Sequence, residues 1–129
     1  MSRIDEELAL LRQLYSIEYQ PIGQWVKVYG YPVRASGWNR AVTDVAFQVL
    51  PSYPAQPYGF YVPVGIRCND AVPQSYQEPS PNQPPFGGEW GMFSWAPDDG
   101  QWRPGATVRN GSNLVDWIRG FAQRFEGGV

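Results

Sequence analysis

The chain is organised around the segment 91-GMFSWAPDDGQWRPG-105. The segment begins as an apolar and aromatic run that carries one hydroxyl, Ser94, and continues through an acidic turn, Asp98-Asp99. It closes on Trp102 and on the corner Pro104-Gly105, and proline and glycine are the residues that force a chain to bend. We therefore expect a short strand that delivers Ser94 into a rigid loop.

Length and composition predict a single globular domain over residues 1–129. With 43% hydrophobic residues, the chain is long enough to bury a core without disulfides or metals. The net charge is −2 and the arginines are scattered, so the basic stripe of a nucleic-acid-binding protein is missing. No apolar run reaches the roughly 18 residues of a membrane span, and the first residues lack the apolar region of a signal peptide. We expect a soluble cytoplasmic protein that binds neither nucleic acid nor membrane.

The sequence contains no histidine. This excludes Ser-His-Asp and Cys-His catalytic arrangements, histidine metal sites and the usual base at neutral pH. The single cysteine, Cys68, excludes a disulfide framework and a thiolate zinc cage. We therefore predict no metal and no cofactor. Any catalysis must use carboxylates, backbone donors or a group from a partner, which argues against a self-sufficient hydrolase.

Hydrophobic periodicity predicts an α+β domain. An amphipathic helix is expected over residues 4–16, capped by Ser2, and a second over residues 112–125, capped by Ser112. Three segments have the alternating or continuously apolar pattern that is typical of strands, namely residues 24–29, 43–50 and 60–64. These patterns predict an antiparallel meander with both helices on one side of the sheet.

Two proline-rich segments interrupt this pattern. Residues 50–62 carry three prolines in seven positions, which predicts an extended surface crossing. Residues 69–89 are rich in Pro, Gln, Ser and Asn, which predicts a long exposed loop. Such a loop is either functional or a tolerated insertion, and the composition leaves both interpretations open.

Two motifs together resemble a ubiquitin-conjugating enzyme domain. The run 50-LPSYPAQP-57 resembles the proline-rich crossing after that family's third strand. The segment 91–105 resembles its Gly-x-Ile-Cys-Leu strand followed by Trp-Ser-Pro-Ala. The catalytic cysteine of the family precedes that tryptophan by eight positions, and Ser94 likewise stands eight positions before Trp102. The chain more closely resembles a divergent bacterial branch of this family, which has a tyrosine-proline crossing followed by Gly-Phe-Tyr-Val. Members of that branch occur beside an activating enzyme, a ubiquitin-like protein and a peptidase.

The order of elements agrees with the family over most of the chain, whereas the specific motifs cover only these short segments. The chain departs from the family in three ways: serine replaces the cysteine, the His-Pro-Asn motif is missing, and the loop at 69–89 is inserted. Cys68-Asn69-Asp70 occupies the neighbourhood of the missing motif.

The resemblance implies an acyl transferase. It would accept the C-terminal acyl group of a ubiquitin-like modifier from a ThiF-like activating enzyme as a Ser94 oxyester and pass it to an amine. Asp98, Asp99, Asp70 or a partner would supply the base, and Asn69 or backbone N–H groups would stabilise the oxyanion.

Three other interpretations stay open. The chain could be a catalytically inactive variant that only binds the modifier or its activating enzyme, with the Ser94 hydroxyl bonded to a local backbone group. Cys68 could be the acyl acceptor, although a lone cysteine beside a strand is more often a small buried filler. The chain could also be an unrelated adaptor domain.

The resemblance also implies partner surfaces. Arg3 and Arg12, with Lys27 nearby, lie where the family docks its activating enzyme. Ligase-side contacts are implied for Pro54, Pro57, Arg103 and Pro104, and a peptidase of the same pathway is a further possible partner. The tryptophans are interpreted as core and loop anchors, with Trp102 holding the site loop: Trp90, Trp95, Trp102 and Trp117.

Overall fold

The N-terminal helix, α1, spans Arg3–Leu14. The structure is a computed structural model, and it describes residues 2–96, 102–105, 107 and 111–128. Ser2 caps the helix as predicted, because its hydroxyl accepts a hydrogen bond from the N–H of Asp5 at 3.2 Å while the Asp5 carboxylate accepts one from the N–H of Ser2. Leu8 and Leu11 are buried on the predicted apolar face.

Six strands of the described residues form one antiparallel sheet. They are β1 (Ile17–Gln20), β2 (Trp25–Pro32), β3 (Val42–Gln48), β4 (Phe60–Pro63), β5 (Tyr76–Gln77) and β6 (Trp90–Phe93). Their order across the sheet is β1-β2-β3-β4-β6-β5. The strands β2, β3 and β4 are the predicted meander, to which β1 adds at one edge. On the other side, β6 inserts between β4 and the short edge strand β5.

The second helix, α2, spans Leu114–Glu126 and packs on the same sheet face as α1. The cap predicted at Ser112 is wrong by one residue. Asn113 is the N-cap: its side-chain oxygen accepts from the N–H groups of Val115 and Asp116, at 2.9 and 3.2 Å. The prediction placed both helices on one side of the sheet, and this is confirmed.

The sheet buries side chains on both faces because successive strand residues point in opposite directions. The helix side holds the larger core, which includes Val26, Val45, Phe47, Phe60 and Phe93. The outer face holds a smaller cluster, formed by Trp25, Ala46, Tyr61 and Trp90. Phe86, from the proline-rich segment, packs over this smaller cluster.

The segment 69–89 is not the unstructured exposed loop that its composition predicted. It contributes β5 to the sheet edge, and Pro73, Ser80 and Pro84 are buried. The interval between Pro73 and Pro79 contains no proline, so its backbone can still donate to a neighbouring strand. The strand β1 was also not predicted, because its four residues are too short for alternation to stand out.

Candidate functional site

Ser94 follows β6 and lies between two anchored aromatic side chains. Phe93 is fully buried, and its ring centroid lies 6.0 Å from that of Phe125. Trp95 stacks on Trp117 with centroids 5.6 Å apart. Ser94 itself is exposed, as expected where alternate side chains of an extended chain point to opposite sides. Its hydroxyl is therefore presented to solvent by a backbone that is fixed before and after it.

The backbone at Ser94 is held by the neighbouring segments on both sides. The Ser94 N–H donates to the carbonyl oxygen of Ser75 at 2.8 Å, and the Gly59 N–H donates to that of Trp95 at 2.7 Å. The Ser94 N–H is thus already used and is not available to an oxyanion. Within the described part of the chain, the N–H of Trp95 has no acceptor, so it is the next backbone donor available there.

The Ser94 hydroxyl forms no hydrogen bond with any described residue. The local backbone contact expected for a purely structural serine is therefore missing from the described part of the chain. No described carboxylate bonds to the hydroxyl either. The predicted carboxylates Asp98 and Asp99 lie outside the described residues.

Trp102 joins the site segment to the proline-rich crossing. Its indole N–H donates to the carbonyl oxygen of Pro54 at 2.7 Å. Its ring meets that of Tyr53 edge-on, with centroids 6.3 Å apart. The two motifs that carry the family resemblance are therefore in direct contact.

The chain beyond Trp102 folds back on itself before α2 begins. The Ser112 N–H donates to the carbonyl oxygen of Arg103, and the Arg103 N–H donates to the Ser112 hydroxyl, both at 2.9 Å. Pro104 and Gly111 form a further backbone bridge. This closure fixes both ends of the segment between Trp102 and α2.

A buried carboxylate, Glu7, ties α1 to this region. Glu7 is 1% exposed, and it accepts hydrogen bonds from the Tyr53 hydroxyl, the Leu114 N–H and the Arg3 guanidinium. Leu114 is the first residue of α2, where the helix dipole favours a negative charge. Burial, and then the hydrogen bond to Glu7, raises the pKa of Tyr53 far above its ordinary value. Sequence reasoning missed this network because an acidic residue in an N-terminal helix ordinarily interacts with the dipole.

Arg3 is part of the same network and is not a free docking residue. Besides its ion pair with Glu7 at 2.9 Å, it donates to the carbonyl oxygen of Gly105 at 2.8 Å. It also reaches the carbonyl oxygen of Ser112 at 3.4 Å. Its predicted role in partner binding is thus combined with an internal one, since it holds the site segment against α1.

The alternative acceptor Cys68 is buried, with 1% of its surface exposed. The N–H and carbonyl groups of Cys68 and Ala71 bond to each other at 3.0 and 2.9 Å. Between them, Asn69 and Asp70 both have positive φ, 52° and 63°. This is the pattern of a tight two-residue hairpin turn, in which Asn and Asp are favoured. The geometry agrees with the interpretation of Cys68 as a buried filler.

Asn69 and Asp70 are explained by that turn. The Asn69 N–H donates to the carbonyl oxygen of Gly37 at 2.7 Å. Neither side chain forms a hydrogen bond with Ser94, both being described residues. The backbone of Asn69 is thus held by the turn and by Gly37.

The remaining predicted partner residues do not form one surface. Arg12, Pro54 and Arg103 are exposed, whereas Pro57 is buried. Lys27 lies on the outer sheet face, where its ammonium is 5.7 Å from the Trp90 ring. It is therefore on the opposite face from α1.

A charged cluster beside the edge strand was not predicted from the sequence. Arg67 forms an ion pair with Glu78, which also accepts the Gly65 N–H at 3.2 Å. Desolvation acts to raise the pKa of Glu78, but the Arg67 hydrogen bond and charge outweigh it and lower that pKa. Burial and the charge of Glu78 raise the pKa of Tyr76, whose buried hydroxyl has no hydrogen-bond partner among the described residues. The cluster stabilises the end of β5, the strand that lies beside the Ser94 segment.

Comparison of the chain with models of protein families, with curated proteins and with solved structures finds no match. Among the described residues, no group of three or more His, Cys, Asp or Glu side chains is placed to hold a metal ion. No described helix is both long and apolar enough to cross a membrane.

Proposed function

We propose that the protein is an acyl carrier of the ubiquitin-conjugating type. It accepts the C-terminal acyl group of a ubiquitin-like modifier on Ser94 and passes it to an amine. The observation that carries the proposal is the exposed Ser94 hydroxyl, unbonded among the described residues and held between the anchored rings of Phe93 and Trp95. The family resemblance of this segment and of the crossing it contacts supports the same position.

The reaction has two steps. In the first, Ser94 Oγ attacks the carbonyl carbon of the activated modifier. A C–O bond forms, the bond to the donor's leaving group breaks, and the hydroxyl proton passes to a base or to the leaving group. In the second, an amine attacks the ester, a C–N bond forms, the C–Oγ bond breaks and Ser94 recovers its proton.

A serine needs more help than a cysteine because its hydroxyl is a weaker nucleophile. We assign proton removal to Asp98, Asp99 or a group of the partner enzyme. An activated donor such as an acyl adenylate or thioester supplies the driving force. The N–H of Trp95 is our candidate for oxyanion stabilisation in place of Asn69, because it follows the nucleophile and has no described acceptor.

The proposed partners follow from the resemblance. They are the ubiquitin-like modifier, a ThiF-like activating enzyme and a peptidase of the same pathway. Arg12 on α1 is the residue that we assign to the activating enzyme, since it is exposed while Arg3 is held by Glu7 and Gly105.

A second candidate function is that of an inactive variant, which binds the modifier or its activating enzyme without forming an ester. Two observations favour it: no described residue accepts a hydrogen bond from the Ser94 hydroxyl, and the chain has no histidine. Under this alternative the exposed segment at Ser94 is a contact surface.

The test mixes the protein with the activating enzyme, the modifier and ATP and follows the covalent adduct by intact mass. An oxyester resists mild thiol treatment and is lost with hydroxide or hydroxylamine. The proposal expects the adduct in wild type and in Cys68→Ala and its loss in Ser94→Ala. Equal adduct levels in wild type and Ser94→Ala would overturn it, and binding of the modifier without any adduct would favour the inactive variant.

A further inference from the structure

Lys27 is the only lysine among the ten Lys and Arg residues of the chain. The other nine are arginines, whose guanidinium groups stay protonated at any ordinary pH and are not nucleophiles. The chain therefore has a normal supply of positive charge but a single ε-amine.

That ε-amine is enclosed on the outer face of the sheet. The Lys27 ammonium lies 4.5 Å from the centroid of the Tyr29 ring and 5.7 Å from that of Trp90. The Asp44 carboxylate lies 3.9 Å away, and the Lys27 side chain is only 13% exposed. Aromatic faces and a carboxylate both stabilise an ammonium ion, so leaving this site costs free energy.

We infer that the chain is built to keep its own lysine side chain out of the transfer reaction, so that the acceptor lysine comes from a second protein. This inference rests on the proposed function, because it concerns the fate of an acyl group held on Ser94. Enclosure keeps Nζ of Lys27 from reaching an ester carbonyl, and arginine at the other nine Lys and Arg positions provides no second ε-amine.

The avoided reaction is the transfer step directed at the carrier itself. Lysine Nζ would attack the ester carbonyl, form a C–N bond and release Ser94 with its proton restored. The product would be a stable amide on the carrier, which removes both the modifier and the carrier from further cycles. A carrier with exposed lysines faces this loss in every encounter between charged molecules.

The first test does not depend on the proposed function. The folded protein is treated briefly with a small amine-acylating reagent, and Lys27 is compared by peptide mapping with the lysine introduced by Arg34→Lys. Arg34 is exposed and forms no ion pair with a described residue. We expect Lys27 to react about tenfold more slowly in the folded protein, because its cation–π contacts must first break. Both lysines should react alike in concentrated urea, and equal rates in the folded protein would overturn the inference.

The second test concerns transfer. Ser94→Cys in a Cys68→Ala background is charged by exchange with a short peptide thioester and incubated at neutral pH. We expect no amide at Lys27, whereas the same protein carrying Arg34→Lys and Arg119→Lys should acquire amides at the introduced lysines. Amide formation at Lys27 at the same rate would overturn the inference. If the thiol does not become charged at all, the result instead counts against the proposed function. The acylation result for Lys27 from the first test is not affected by that failure.

Discussion

The carboxylate of Glu7 accepts a hydrogen bond of 2.6 Å from the backbone N–H of Leu114. This contact joins the middle of the N-terminal helix to the first residue of the C-terminal helix, across more than a hundred residues of sequence. Through Tyr53 and Trp102 the same carboxylate supports the segment that follows Ser94. The stability of the domain and the placement of its candidate site therefore depend on one buried charge.

Glu7→Ala should lower the free energy of unfolding by about 3–5 kcal/mol, since it leaves Arg3, the Tyr53 hydroxyl and the Leu114 N–H without their acceptor. Glu7→Gln should lie between wild type and Glu7→Ala, because it keeps the shape and one acceptor oxygen. Urea denaturation measures the effect. The matched control is Glu6→Ala, at an exposed position of the same helix, which should change the free energy by no more than about 0.5 kcal/mol. If Glu6→Ala and Glu7→Ala lower the free energy of unfolding equally, the stabilising role of the Glu7 hydrogen-bond network is contradicted.

Several tyrosines should lose their proton at a higher pH in the folded protein than in the unfolded chain. The pKa is raised for five of the eight, namely Tyr29, Tyr31, Tyr53, Tyr61 and Tyr76. For Tyr31, burial is the main cause and raises the pKa from 10.0 to about 12. Ultraviolet absorbance of tyrosinate should therefore rise later in the folded protein than in concentrated guanidinium. A single tyrosinate transition at the same pH in the folded protein and in concentrated guanidinium would contradict these raised pKa values.

The same shift makes stability depend on alkaline pH. Tyr31 binds its proton more tightly when folded, so its contribution is complete below pH 10.0 and is lost as the pH rises towards about 12. Tyr31→Phe should make the fall in the urea midpoint across this window less steep. Tyr58→Phe is the control, because Tyr58 is 59% exposed. An unchanged slope in Tyr31→Phe would count against this assignment.

Gly111 should not tolerate a side chain. Its φ is +96°, and a Cβ there would lie 2.3 Å from the carbonyl oxygen of Arg103 and 2.6 Å from the nitrogen of Gly105. Gly111→Ala should cost about 2–5 kcal/mol, since backbone strain adds to a clash that only backbone movement can relieve. Gly87→Ala is the matched control: its φ is +76° and no atom lies within 4 Å, so only the strain of about 1–2 kcal/mol applies. Equal losses in the free energy of unfolding for Gly111→Ala and Gly87→Ala, measured by urea denaturation, would contradict this prediction. They would mean that the segment 103–105 moves away from the added Cβ at little cost.

Local patterns predicted the elements that local physics determines. The helices, the antiparallel order of the main strands and the Ser2 cap follow from periodicity and side-chain chemistry within a few residues. The cap at α2 was placed one residue early because Ser112 and Asn113 are both good caps. The Ser112 hydroxyl instead accepts the N–H of Arg103, a distant contact, and Asn113 is left as the cap.

Long-range contacts could not be predicted in the same way. A glutamate in an N-terminal helix gives no local sign that it will be buried, and the burial of Glu7 depends on Tyr53 and Leu114 arriving from distant segments. The edge strand Tyr76–Gln77 exists because β6 offers it a partner, whereas its own composition suggests a loop. At the candidate site, the exposed position of Ser94 follows from alternation. The turn role of Asn69 and the isolation of Lys27 from α1 required the fold.

Whether Ser94 carries the acyl group can be determined by locating that group on the wild-type protein. The protein charged with the activating enzyme, the modifier and ATP is digested at mildly acidic pH, and the acylated peptide is sequenced by tandem mass spectrometry. We expect an ester on Ser94 that hydroxide removes and thiols do not. An acyl group on Cys68, or an adduct that persists unchanged in Ser94→Ala, would contradict it.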